Sequence, residues 1–141
     1  MTKRTLNIGR WLVVFLFAGD GFNAYEVLRI LKEAGASRDI LAKAEETIVC
    51  DRNCGFTYTD DRNHLAIVFV GPTTGGDEFI DTLVHEVHHL SVAIADGLGV
   101  DLRGEDPAYI AGDSARALAR TICLLGCSKC RDHIADKQKN K

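Results

Sequence analysis

The residues best suited to chemistry stand together at His85-Glu86-Val87-His88-His89, where His85, Glu86 and His89 form an H-E-x-x-H pattern. On a helix, positions i and i+4 share a face with their Cβ atoms about 5–6 Å apart. Two imidazoles so placed can each reach one Zn²⁺ at about 2.0–2.1 Å. Glu86 is turned to the side of that pair, where a carboxylate meets a zinc-activated water rather than the metal. Two metal-binding imidazoles and a general base make a hydrolytic centre. The plainer alternative is a histidine-rich patch on a packed helix. His88 points about 100° away from His89, as a bystander or a contact on the substrate side.

A catalytic zinc needs a third protein ligand and one open position. Downstream acids are Asp96, Asp101, Glu105, Asp106 and Asp113. Asp96 lies two helical turns beyond His89, about 10 Å of rise, too far to share the ion. Asp101 follows the glycines and can fold back. Glu105 is better placed, because Gly97 and Gly99 allow a sharp turn that returns the next helix to the motif. Asp106, next to Pro107, suits the N-cap of that helix. His133 is a further possible ligand from the tail. Tyr109 is open to two readings: a hydroxyl donor to a developing oxyanion, or a half-buried residue packing one helix on the other.

The segments Gly55-Phe56-Thr57-Tyr58-Thr59, Phe79 to His89 and Glu105-Asp106-Pro107-Ala108-Tyr109-Ile110-Ala111-Gly112-Asp113 carry a resemblance. Over residues 54–115 the chain resembles small zinc peptidases of the minimal gluzincin type, found in bacterial prophages and mobile elements. These pair H-E-x-x-H with a downstream E-x-x-A-Y-x-x-G. The resemblance implies His85, His89 and Glu105 as zinc ligands, Glu86 as base and a zincin-like fold. It brings no substrate with it. The pattern departs from the larger thermolysin-like enzymes, whose Asp four residues after the ligand Glu orients a histidine; Tyr109 stands there instead. Asp81 and Asp113 are the weak candidates for that orienting role, and an exposed helix acid is the plainer account of both.

Several elements must position these residues. The apolar run Trp11-Leu12-Val13-Val14-Phe15-Leu16-Phe17-Ala18-Gly19 predicts a buried strand. After Lys3, Arg4 and Arg10 it also imitates a signal peptide over residues 1–24, but nearby cleavage positions hold Phe where a small residue is needed. A helix follows, with Asn23 as N-cap and Gly35 as C-cap and Val27, Leu28, Ile30 and Leu31 on its apolar face. Ser37 caps a second helix through Ile40, Leu41, Ala44 and Ile48. Residues 55–59 and 64–70 flank a polar turn and predict a hairpin, its second strand interior to a sheet. A long helix from about Asp77 to Gly97 carries the motif, with Phe79, Ile80, Leu83, Val84, Val87, Leu90 and Ile94 as its apolar stripe. Another runs from about Glu105 to Leu125, closed by Gly126. The expected fold is α+β: a short sheet including a hairpin, packed against two long helices, with further N-terminal helices.

At 141 residues the chain predicts one domain, residues 1–135, with a frayed polar tail at 136–141. Hydrophobic residues at 46% and charged residues at 26% are ordinary for a globular protein and exclude a disordered or collagen-like chain. A net charge of −3 and a pI near 5.9 offer no basis for nucleic-acid or anionic-membrane binding. The nine-residue apolar run is too short to span a bilayer, which needs about 20 residues. Five cysteines are an odd set for a disulfide framework and fit a reducing, cytoplasmic setting. Cys50 and Cys54, with Cys127 and Cys130, have spacing that can hold a structural zinc, although half-buried thiols are the simpler account. The expected function is zinc-dependent hydrolysis of peptide bonds in a peptide or protein substrate. The alternatives are a regulatory protease with one dedicated target and a catalytically silent, zinc-stabilised interaction module.

Overall fold

The computed structural model describes residues 1–19, 22–49 and 53–126. In chain order these form β1 (Thr2–Ile8), β2 (Trp11–Phe17), α1 (Ala24–Glu33), α2 (Arg38–Val49), β3 (Gly55–Asp60), β4 (Leu65–Val70), α3 (Gly76–Gly97) and α4 (Asp106–Gly126). The architecture is α+β, with four strands in one mixed sheet of order β1-β2-β4-β3. β1 pairs antiparallel with β2, β2 parallel with β4, and β4 antiparallel with β3.

The apolar run at 11–17 becomes a strand because helices cover both of its faces. Trp11, Val13, Phe15 and Phe17 pack with Ala66, Val68 and Val70 against Phe79, Leu83, Val87, Leu90 and Ile94 of α3 and Leu118 of α4. Val14 and Leu16 point the other way, with Ile67, Phe69 and Tyr58, into Val27 and Leu31 of α1 and Ala44 and Ile48 of α2. The period-2 alternation of a strand thus splits one hydrophobic run between two cores. The result is three layers, helix pair on sheet on helix pair.

The hairpin at 55–70 is as expected, and β4 is interior. β1 is the strand that sequence reading missed. Its apolar content is confined to Leu6 and Ile8, and Lys3 and Arg4 look like a signal-peptide flank. Gly9 and Arg10 join β1 to β2 as a two-residue loop with Gly9 at φ +57, the Gly-X chemistry of a tight hairpin.

Local signals hold at most helix ends. Asn23 accepts a hydrogen bond from the Tyr25 amide at 3.0 Å, and Ser37 one from the Ile40 amide at 3.3 Å. Ala34 takes the C-cap of α1, and Gly35 follows it at φ +91. Asp106 is not an N-cap: it is the first helical residue, and the carbonyl of Glu105 accepts the Tyr109 amide at 3.0 Å. Ile80 and Val84, expected in the apolar stripe, are 41% and 62% exposed. They rim an apolar groove of about 670 Å³ between α3 and α4, into which His88 also faces. Among the described residues no helix is long and apolar enough to cross a membrane.

Candidate metal centre

α3 begins at Gly76 with Asp77 and Glu78 in its first turn, where acidic side chains favour the helix dipole. Its buried side, from Phe79 to Ile94, locks it onto the sheet and fixes its rotation. That rotation leaves His85 and His89 exposed on one flank and turns Glu86 inward, to 4% exposure.

The Nε2 atoms of His85 and His89 face one another 3.1 Å apart. Their ring centroids are separated by 4.8 Å, with the planes at 72°. Two nitrogens each 2.0–2.1 Å from a tetrahedral ion stand about 3.3 Å apart. The pair therefore fits the bite of a single zinc ion, and imidazole nitrogen is among the ligands zinc takes. His88 lies alongside, its ring centroid 6.1 Å from that of His89.

Glu86 projects toward β3, one of the two edge strands of the sheet. Thr57 Oγ1 lies 2.8 Å from Glu86 Oε2 and 3.1 Å from the Glu86 carbonyl oxygen, and donates to the carboxylate at the shorter distance. Gly55, two residues earlier on the same strand face, leaves the room: a Cβ there would stand 2.9 Å from Glu86 Cγ and 3.1 Å from Oε1. A carboxylate this deep is costly unless hydrogen-bonded, and Thr57 supplies the bond.

The other expected site residues are dispersed. Glu105 is exposed at the N-cap position of α4. Among the described residues no group of three or more His, Cys, Asp or Glu side chains is assembled to hold a metal, so Glu105 does not stand with the histidine pair. Tyr109 is 67% exposed, which removes the reading of a half-buried residue wedged between helices. Asp101 Oδ1 accepts from the Arg103 amide at 3.0 Å within its own loop. Asp113 is paired with Arg116 at 3.0 Å on the surface of α4. No hydrogen bond joins Asp81 to His85 among the described residues. Cys54 and Cys123 are half-buried; Cys50, Cys127, Cys130 and His133 lie outside the described residues, as does the tail at 136–141.

No protein-family model matches the chain, and comparison with curated proteins and with solved structures finds no match. The site therefore stands on its own geometry. Thr57 and Gly55 are the contributors that sequence reading overlooked. Strand alternation puts them on one face, but nothing in their spacing from Glu86 announces a strand-to-helix contact.

Proposed function

We propose that this chain is a zinc-dependent peptidase with a zincin-like centre, hydrolysing peptide bonds in a peptide or protein substrate. The observation that supports it is the pair of exposed imidazole Nε2 atoms facing each other at 3.1 Å, beside a buried, hydrogen-bonded carboxylate. His85 and His89 would hold the metal. Glu105, exposed at the start of α4, is the proposed third ligand, and reaching the pair would require the loop at 98–105 to move.

Zinc, when bound, supplies a Lewis acid that polarises a carbonyl and lowers the pKa of a water toward about 7. Glu86 takes the proton of the attacking water on a carboxylate oxygen and returns it to the amine nitrogen as the C–N bond breaks. Tyr109, one turn beyond Glu105, offers a phenolic O–H to charge growing on the carbonyl oxygen. Among the described residues β3 ends the sheet, and the proposed pose of an extended peptide is as a further strand beside it. That places the peptide backbone along the strand whose Gly55 and Thr57 touch Glu86.

The test is metal content and turnover in protein purified without added metal or a histidine tag. Wild type should carry about one zinc per chain and cleave an unfolded protein substrate. Glu86→Gln should keep the metal and lose turnover, His85→Ala should lose the metal, and Glu105→Ala should bind it far more weakly. Undiminished turnover in Glu86→Gln would remove the proposed base. Full zinc in Glu105→Ala would move the third ligand elsewhere. Zinc without turnover in wild type would favour the interaction module or a single dedicated target.

A further inference from the structure

The edge strand does more at this site than border it. Gly55 and Thr57 are residues i and i+2 of β3, paired with Val70 and Val68 of β4, and so face α3 together. Thr57 donates to Glu86 Oε2 at 2.8 Å, and the same hydroxyl lies 3.1 Å from the Glu86 backbone carbonyl. One side chain on a strand therefore spans the carboxylate and the main chain of one helical residue. The single hydroxyl proton goes to Oε2, which ties that end of the Glu86 side chain to β3. Gly55 works by absence. A methyl there would press on Glu86 Cγ and Oε1 and on the Phe69 carbonyl oxygen at 2.7 Å.

Glutamate has three rotatable side-chain bonds, and a free one on a helix samples several rotamers. A general base has to be held within about 0.5 Å of its working geometry by a supporting group. We propose that Thr57 is the positioning residue for Glu86. It holds Oε2, Gly55 clears the space beside Oε1, and Oε1 is the oxygen left to exchange the proton. The role in catalysis rests on the proposed reading of Glu86 as the base; the placement of the carboxylate does not.

The experiment uses the zinc-loaded full chain labelled with ¹³C at glutamate Cδ, the Glu86 signal being assigned by its disappearance in Glu86→Gln. In wild type the signal should be single, with side-chain couplings of one rotamer. Thr57→Val, which removes the hydroxyl and keeps the shape, should shift it and average the couplings; Thr57→Ser should restore both. With an unfolded casein as substrate, Thr57→Val should lower kcat about 10–100-fold at unchanged KM and zinc content, and Thr57→Ser should recover most of it. Averaged couplings in wild type, or an unmoved signal in Thr57→Val, would overturn the assignment. Averaged wild-type couplings would overturn it even if Thr57→Val does not fold. A wild type that holds Glu86 in one rotamer yet leaves casein uncleaved would count against a general peptidase and leave the clamp standing.

Discussion

Asp60 shows how a single side chain sets a local condition for the fold. At the turn between β3 and β4 its carboxylate accepts from the Asn63 side-chain amide at 2.6 Å and from the Asn63 backbone amide at 3.2 Å. The side-chain bond first, then the backbone bond, hold its pKa below the usual carboxylate value. A folded-state pKa below the unfolded one adds stability above the unfolded value, near pH 4. That contribution is lost as pH falls through the lowered folded value. Asn63→Ala removes the larger of these bonds and keeps the backbone one, so it should raise the Asp60 titration toward the ordinary range, read by carboxyl NMR, and weaken the dependence of stability on pH in that acid window. Two residues earlier on the same face of the strand, burial first and the Asp60 charge second push the Tyr58 phenol up. Tyr58 thus stays neutral and stabilising to alkaline pH.

At the scale of elements, the seam between α3 and α4 depends on close backbone approach at one end. A Cβ on Gly76 would run into the carbonyl oxygen of Gly126, so the first residue of α3 meets the last of α4 without side chains between them. Gly76→Ala should force this junction apart and destabilise the protein by about 1–3 kcal/mol, as overpacking does, measured by urea denaturation. Gly9→Ala acts through the backbone instead. At φ +57 an alanine sits in the left-handed region at a cost of about 1–2 kcal/mol, and the β1–β2 hairpin should carry that loss. The elements themselves were largely legible, because caps, glycines and hydrophobic periods are local features. Asn23, Ser37 and the hairpin turn all act within a few residues of where they stand. β1 escaped since its partner supplies its reason to be a strand. The pairing of His85 with His89 was legible for the same local reason, one helical turn. The Thr57–Glu86 contact depends on how α3 lies on the sheet, which no short spacing encodes.

For the molecule as a whole, one sheet serves two cores. β2 and β4 contribute to both, so neither helix pair can leave without exposing a strand that the other needs. Trp11, the single tryptophan, reports the α3–α4 side, and Tyr58 reports the α1–α2 side. Their unfolding transitions in denaturant should coincide, the signature of a two-state domain; separated midpoints would show that the layers come apart in sequence. Phe15, fully buried and stacked on Phe17 at 6.1 Å between centroids, should cost about 3–5 kcal/mol on truncation to alanine. Such a loss rivals the 5–15 kcal/mol that holds a typical domain together.

The parallel pairing of Leu12 with Leu65 through Phe17 with Val70 also has a consequence for biosynthesis. β2 leaves the ribosome long before β4 exists to receive it. At about 5–20 residues per second, the wait from β2 to β4 is roughly 3–10 s. Throughout it, Trp11-Leu12-Val13-Val14-Phe15-Leu16-Phe17 carries no charge and no proline to discourage self-association. β1 can pair with one edge and α1 and α2 can cover the Val14 and Leu16 face during that interval, but the other edge and the face that meets α3 stay bare. The apolar run of β2 is therefore the segment most open to self-association until Val70 has been made.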